Sequence, residues 1–122
     1  MVLLFYPGDE TPVCTKQFCS YRDRSEDLSD LDALMVGISH QDLDSHRSFS
    51  SHHGLNMPLL ADVDREVAGA YGVSAPVLGT RRATVIVDED GLVAHRHVHT
   101  LGLDFLSADD LRDALDMLPA RT

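Results

Sequence analysis

Two short apolar runs, residues 2–6 and 33–39, constrain the fold more than any other feature of this sequence. Pro7-Gly8 stops the first run, and both runs have the length and apolar character of strands that are buried on both faces. Between them, residues 14–30 have a helical pattern. Its buried stripe would be formed by Phe18, Tyr21 and Leu28. Two buried strands separated by a helix predict a parallel βαβ unit.

The middle of the chain predicts shorter elements. Residues 44–54 have the pattern of a helix, with Asp44 or Ser45 as its N-cap and a glycine at its end. Residues 57–60 form a short apolar piece after a turn, and residues 64–71 predict one or two helical turns.

The C-terminal part predicts a hairpin followed by a last helix. Residues 83–87 and 92–99 read as two strands around Asp90-Gly91, a dipeptide that strongly favours a hairpin turn. A helix is expected to begin at Ser107, where the aspartate three residues later stands in a capping-box-like position.

The predicted order of elements is strand, helix, strand, helix, strand, strand, helix. We therefore expect a single α/β domain over residues 1–122, with a central mixed sheet of βαβαββα order flanked by helices. This order is the connectivity of a thioredoxin-like fold. A chain of 122 residues is long enough to bury such a core without disulfide or metal staples.

Charge and hydropathy argue against several classes of partner. Twenty acidic residues against ten basic ones give a formal net charge of −10, whereas nucleic-acid binding needs a basic face. No apolar run approaches the roughly 18 residues that would suggest a membrane span, and the apolar start lacks the basic lead of a signal peptide. We expect a cytoplasmic protein without nucleic-acid or membrane partners.

The chain has two cysteines, Cys14 and Cys19, and they are the residues that most clearly indicate chemistry. They are either small buried core residues or working thiols. Cys14 lies where a loop ends and a helix begins, and free amide groups there stabilise a thiolate, which is the nucleophilic form. In an intact helix Cys19 lies about 7.5 Å farther along the axis and on another face. A disulfide between them therefore requires the first helical turns to unwind.

The residues around Cys14 resemble the signature of the reactive cysteine in the peroxiredoxin family. The matching run is Thr11-Pro12-Val13-Cys14-Thr15. A match to the bacterioferritin-comigratory-protein class, also called the Q type, is formed by Cys19 with Tyr21-Arg22-Asp23. Further matches run along nearly the whole chain, and they are Phe5-Tyr6-Pro7, Val36-Gly37-Ile38-Ser39, Pro58-Leu59-Leu60-Ala61-Asp62, Tyr71-Gly72-Val73 and Arg82-Ala83-Thr84-Val85-Ile86-Val87-Asp88.

The resemblance implies roles for four residues near the first helix. Cys14 corresponds to the peroxidatic cysteine, and Cys19 to the resolving cysteine on the same helix. Thr11 corresponds to the threonine whose hydroxyl contacts the thiolate and the peroxide oxygen. Pro12 corresponds to the proline that shields the thiolate from water and overoxidation.

A distant arginine is the fifth residue to which the resemblance assigns a role. Arg82 corresponds to the arginine that reaches back to the reactive cysteine, where a guanidinium stabilises the thiolate and the charge that develops on the leaving oxygen. Arg81 is the neighbouring alternative. Because successive strand side chains point to opposite faces, only one of the two arginines can face the site.

The function that the resemblance implies is thiol-dependent peroxidase activity on hydrogen peroxide and organic hydroperoxides. The expected intermediates are a Cys14 sulfenic acid and an intramolecular Cys14–Cys19 disulfide, which thioredoxin or a similar dithiol protein would reduce. No metal or prosthetic group is expected, and the class suggests a monomer or a weak dimer.

The chain departs from the class at three points. Val13 stands where the class usually has glycine, residues 74–80 form a short loop, and the family's N-terminal hairpin is absent before the first strand. The missing hairpin leaves one alternative function, a catalytically disabled, truncated peroxiredoxin, whereas Val13 does not count against activity. A second, of a different kind, is a copper-chaperone-like metal-handling module of the same fold, although such modules separate their cysteines by three residues rather than four.

The seven histidines raise a separate question of metal binding. Three of them, His95, His97 and His99, alternate along a predicted strand and share one face, a spacing that can bind zinc or copper. A structural zinc site needs four ligands, so we expect a solvent-facing polar surface instead. The other histidines lie near helix ends and loops and are also expected at the surface; they are His40, His46, His52 and His53.

Overall fold

A computed structural model describes residues 1–9, 11–24, 34–75, 79–88, 90–99, 105 and 107–116 of the chain. A five-stranded sheet is formed by β1 (Val2–Phe5), β2 (Met35–Ser39), β3 (Leu59–Ala61), β6 (Ala83–Val87) and β7 (Val93–Val98). The order of these strands across the sheet is β3-β2-β1-β6-β7. A separate two-stranded pair is formed by β4 (Ser74–Ala75) and β5 (Gly79–Thr80), in a part of the sequence that we predicted as a loop.

The sheet is mixed, as predicted. Strands β1, β2 and β3 are parallel to one another, whereas β6 runs antiparallel to β1 and β7 runs antiparallel to β6. In the register of β1 and β6, Phe5 lies opposite Ala83. The residue that precedes β6 is therefore brought to the end of β1, where the chain leaves the sheet toward the first helix.

Four helices accompany these strands in the described residues: α1 (Pro12–Asp23), α2 (Leu43–His53), α3 (Glu66–Ala70) and α4 (Ala108–Asp116). Helix α1 begins two residues earlier than predicted, because proline has no amide hydrogen to lose and its fixed φ suits the first helical position. The predicted continuation of this helix to residue 30 lies outside the described residues.

The start of α2 corrects the sequence prediction. Asp42, rather than Asp44 or Ser45, is the N-cap, since its carboxylate accepts the Ser45 amide hydrogen at 2.9 Å. Gly54 ends the helix as predicted, with a left-handed φ of 60° that favours glycine. The predicted capping box of α4 is also confirmed, because Ser107 and Asp110 exchange hydrogen bonds of 3.1 Å through side chain and backbone.

Two apolar clusters lie on opposite faces of the sheet, because alternate residues of β1 point to opposite sides. The cluster that includes the face of α1 contains Val2, Leu4, Tyr6, Cys14, Phe18, Tyr21, Phe49, Ile86, Ala108 and Leu111. The other contains Leu3, Phe5, Val36, Ile38, Ala68, Val73, Ala83, Val85 and Val87. Strand β1 is buried along its whole length, which explains its continuous apolar sequence.

Candidate functional site

The first turn of α1 places Cys14 at the start of a helix that packs on the sheet. Thr11 is the N-cap in extended conformation, Pro12 is the first helical residue, and Thr11 accepts the Thr15 amide hydrogen at 2.8 Å. Cys14 therefore lies among the first-turn amides that have no carbonyl partner within the helix. The positive end of the helix dipole favours a negative charge at this position. The side chain itself is fully buried.

Arg82 lies directly against the Cys14 sulfur. Its guanidinium donates a hydrogen bond from Nη2 to Cys14 Sγ at 3.1 Å and a second one from Nη1 to Gln17 Oε1. Arg82 is only 2% exposed, whereas Arg81 is exposed to solvent. Of the two arginines considered, the structure brings Arg82 to the reactive cysteine. A fixed cation at this distance stabilises a thiolate more strongly than a neutral donor does.

Gln17 is a site residue that the sequence reasoning missed. It lies one turn after Cys14 on the same face of α1, is 1% exposed, and donates from Nε2 to the Tyr21 hydroxyl at 3.2 Å. Burial raises the pKa of Tyr21 to about 12, although the hydrogen bond from Gln17 and the nearby Arg82 charge oppose this rise. The three-residue spacing from Cys14 was the signal that could have identified Gln17.

Thr11 and Pro12, which begin the helix that carries Cys14, are exposed to solvent. The Thr11 hydroxyl donates to the Gly8 carbonyl oxygen at 2.9 Å, so its own proton is engaged in the preceding loop. Its oxygen lone pairs are still able to accept a hydrogen bond. Contact of this hydroxyl with the sulfur, and shielding by Pro12, stay predictions.

Cys19 is on the same helix as Cys14 but not on its fully buried face. Both cysteines are free thiols, and Cys19 is partly exposed. Helix α1 is continuous from Pro12 to Asp23, so the two cysteines are five residues apart on intact helix. At 1.5 Å per residue this spacing corresponds to about 7.5 Å along the axis, beyond the usual reach of a disulfide.

A second buried polar group surrounds Asp9, just before α1. Tyr6 Oη donates to Asp9 Oδ1 at 2.6 Å, and Ser45 Oγ donates to Asp9 Oδ2 at 2.7 Å. His46 Nδ1 also lies 2.7 Å from Asp9 Oδ2, and both side chains of this pair are 2% exposed. We call Tyr6, Asp9, Ser45 and His46 the Asp9 cluster.

The environment favours the charged forms of both members of the pair. Burial acts to raise the pKa of Asp9, but the hydrogen bonds from His46, Tyr6 and Ser45 outweigh it and lower that pKa. Burial likewise acts to lower the pKa of His46, but the Asp9 carboxylate and the Leu60 carbonyl outweigh it and raise that pKa. The burial of His46 corrects our expectation that it lies at the surface.

The Asp9–His46 pair predicts a window of pH in which its contribution to stability is largest. The Asp9 contribution is present above its ordinary pKa of 3.8 and is lost as the pH falls through the lowered value. The His46 contribution is present below its ordinary pKa of 6.5 and is lost as the pH rises through the raised value. In the window between those ordinary values, Asp9→Asn should lower the free energy of unfolding by about 3 kcal/mol.

Urea unfolding of both proteins across this pH range measures the effect. The difference between wild type and Asp9→Asn should shrink on both sides of the window. A difference that does not change with pH would show that the pair is not ionised.

The other histidines only partly follow the prediction of a polar surface. His97 is exposed and His95 partly so, but His99 lies beyond the end of β7 and is buried. Its backbone amide continues the pairing with β6 by donating to the Arg82 carbonyl at 2.9 Å. In the described ranges, three or more side chains of His, Cys, Asp or Glu do not gather in a group that could hold a metal ion.

The chain matches the model of the AhpC/TSA family over residues 1–96, which is well over half of its length. The chain therefore belongs to the AhpC/TSA family. Peroxiredoxin Q, a chloroplastic protein of Oryza sativa, is 40% identical over 97 residues, which are 78% of this chain and 45% of that protein. The chain thus spans about half the length of the plant relatives that it matches.

Bacterial relatives match a larger share of their own length. The peroxiredoxin bcp of Coxiella burnetii is 36% identical over 101 residues, covering 77% of this chain and 67% of that protein. The crystal structure of peroxidoxin BcpB from Mycobacterium tuberculosis superposes with a TM-score of 0.85 at 31% identity, covering 98% of this chain and 79% of that one. These matches confirm the predicted resemblance to Q-type peroxiredoxins and the predicted thioredoxin-like α/β fold.

Within the portion of the chain that the structure describes, every helix is too short or too polar to cross a bilayer.

Proposed function

We propose that this chain is a thiol-dependent peroxidase in which Cys14 attacks a hydroperoxide. The thiolate sulfur attacks the distal oxygen of ROOH, an S–O bond forms as the O–O bond breaks, and RO⁻ leaves, which gives a Cys14 sulfenic acid. Protonation of RO⁻ then gives water or an alcohol. The sulfur is oxidised and the peroxide is reduced by two electrons, so no metal or prosthetic group is needed.

The contact between Arg82 and Cys14 is the observation that carries this proposal. A guanidinium that donates to the sulfur at 3.1 Å in a buried site is placed to pair with the negative charge of an attacking thiolate. A guanidinium has further donors, and these are placed to stabilise the negative charge that develops on the leaving oxygen. A core cysteine without chemistry needs no such cation, and burying an arginine for that purpose alone is costly.

The sulfenic acid would be resolved by Cys19. The Cys19 thiolate attacks the Cys14 sulfur and displaces hydroxide, which leaves as water and gives a disulfide. This step requires α1 to unwind. Arg22 donates to the His53 carbonyl at 2.6 Å near the C-terminal end, whereas Thr11 makes no side-chain cap at the N-terminal end. Unwinding should therefore start at the N-terminal end, once the contact between Arg82 and Cys14 is released.

The remaining parts of the proposal concern the substrates and the setting of the reaction. Hydrogen peroxide and organic hydroperoxides are the proposed oxidants, and the full burial of Cys14 favours the smaller ones. Thioredoxin or a similar dithiol protein is the proposed reductant of the disulfide. We further propose a single domain that acts in the cytoplasm as a monomer or a weak dimer.

Peroxide consumption by the reduced protein, together with intact mass before and after one equivalent of hydrogen peroxide, tests this proposal. Wild type should lose two hydrogens as it forms the internal disulfide. The Cys19→Ser variant should stop at the sulfenic acid and gain one oxygen. The Cys14→Ser variant should leave both its mass and the peroxide unchanged, since a serine hydroxyl is not ionised at neutral pH.

Two results would contradict the proposal. Wild type that consumes peroxide no faster than a free thiol would indicate a catalytically disabled family member. A Cys14→Ser variant that still consumes peroxide would assign the reaction to another residue, with Cys19 as the first to examine.

A further inference from the structure

The arrangement of protons in the Asp9 cluster defines the charge state of His46. His46 Nε2 lies 3.0 Å from the Leu60 carbonyl oxygen, and a carbonyl oxygen only accepts, so Nε2 carries a proton. His46 Nδ1 faces Asp9 Oδ2, which already accepts from Ser45, while Asp9 Oδ1 accepts from Tyr6. This pattern fits an ionised carboxylate with three donors and therefore a doubly protonated imidazolium.

The elements that meet at this pair surround the loop that leads into α1. Tyr6 follows β1, Ser45 and His46 lie in the first turns of α2, and the Leu60 carbonyl belongs to β3. Asp9 itself stands two residues before Thr11, in the connection from β1 to α1. The charge pair thus ties the start of α1 to α2 and β3, two elements on the other side of the loop.

A second contact holds the same loop. The Gln41 side chain accepts from the Asp9 amide at 3.3 Å and donates to the Pro7 carbonyl at 3.2 Å. Gly8 packs closely under it, since a Cβ at that position would lie 3.2 Å from Gln41 Nε2 and 3.3 Å from Thr11 Cγ2. The loop is therefore held by side chains from outside α1, which do not depend on that helix staying intact.

We infer that Asp9 and His46 are positioning residues for the reaction of Cys14: their buried charge pair holds the loop that leads into the first turn of α1, and so fixes where that turn places Cys14. The loop stays in place when the first turns of α1 unwind, so that α1 can refold into the same geometry after the disulfide is reduced. The inference rests on the proposed peroxidase function.

Asp9→Asn tests this inference, because it keeps the size of the side chain and removes its charge. The rate constant for Cys14 oxidation by hydrogen peroxide, measured in single turnover, should fall at least tenfold, since small misplacements of reacting groups cost about that much or more. The matched control is Asp88→Asn. The Asp88 carboxylate accepts hydrogen bonds as Asp9 does, in its case from two backbone amides, but it lies beyond the opposite end of β6, about 20 Å from Arg82 along the strand. That variant should react within twofold of wild type.

Three further measurements separate positioning from a loss of folded protein. Ser45→Ala removes one of the three donors and should lower the same rate constant about threefold without unfolding the chain. Nitrogen-15 NMR of the wild-type protein at pH 6, below the ordinary pKa of histidine, should show both ring nitrogens of His46 protonated. Alkylation of Cys14 by iodoacetamide reports on the placement of the thiolate without any peroxide, and Asp9→Asn should change its rate.

The outcomes divide clearly. Oxidation of Cys14 in Asp9→Asn within twofold of wild type, or a neutral His46 ring in wild type at pH 6, overturns the inference. If wild type itself fails to react with peroxide, the proposed function fails instead. In that case the alkylation rates and the NMR spectrum still test the positioning inference. An alkylation rate of Cys14 that is the same in Asp9→Asn and in wild type would contradict it.

Discussion

Replacing Arg82 by methionine is expected to lower kcat/KM for hydrogen peroxide by about 100- to 1000-fold, the usual loss when one donor to a developing oxyanion is removed. Arg82 donates to Cys14 Sγ at 3.1 Å, so the variant loses stabilisation of both the thiolate and the leaving oxygen. Methionine keeps most of the length and the apolar stem of the side chain. Stopped-flow measurement of Cys14 oxidation gives the rate, and the reducing protein is not needed for it.

Two companion variants show whether the guanidinium itself is responsible. Arg82→Lys restores the charge but has no planar fork with which to contact Cys14 and Gln17 together, so it should recover only part of the loss. Arg81→Met changes the adjacent, exposed arginine and should react within twofold of wild type. An Arg82→Met protein that keeps the wild-type rate, or an Arg81→Met protein with the larger loss, would contradict the assignment.

Replacing Phe18 by alanine is expected to lower the free energy of unfolding by about 3–5 kcal/mol. Phe18 is fully buried on the face of α1 that carries Cys14, and its ring packs 4.7 Å from Tyr6 and 6.0 Å from Phe49 between ring centroids. It also fills the space above Gly37, where a Cβ would lie 3.0 Å from the Phe18 ring. Urea denaturation followed by circular dichroism measures the loss.

Val63→Ala is the control for this change, because Val63 is 57% exposed and its truncation should shift stability by no more than about 0.5 kcal/mol. Loss of the Phe18 contacts should also loosen α1 on the sheet, so any folded Phe18→Ala protein should form its disulfide from the sulfenic acid faster than wild type. A stability loss below about 1 kcal/mol would show that the ring is not an essential part of this core.

Local pattern predicted most of the fold of this protein. The run at residues 2–6 is apolar without interruption because β1 is buried on both faces. Strands β1 and β2 pair in parallel, and α1 lies between them in the chain, as the βαβ prediction required. Glycine at position 54 and the Ser107–Asp110 capping box marked helix ends correctly, since both depend on the geometry of a few adjacent residues. The N-cap of α2 was misplaced by two residues because several acidic and hydroxyl residues compete there, and local preference does not rank them.

The sequence predicted two kinds of site residue: those that lie within a few residues of one another on α1, and those to which the family resemblance assigns a role. The sequence placed Cys14 at the start of a helix and Cys19 five residues farther on, because helix boundaries and helix spacing are set within a few residues. That spacing also determined that an intramolecular disulfide requires unwinding. The resemblance named Arg82, but nothing in the local sequence separates it from Arg81 as a partner of the cysteine.

The tertiary structure decided which distant groups meet. The antiparallel register of β1 and β6 brings Arg82 to Cys14 across 68 positions of sequence, and the packing of α2 beside the loop brings His46 to Asp9 across 37. These contacts depend on sheet pairing and on packing, which bury Arg82 and His46 although both are residue types that usually lie at the surface. His46 has the sequence surroundings of a surface residue because the acceptors that draw it inward, Asp9 and the Leu60 carbonyl, belong to segments that are remote along the chain and adjacent only after folding.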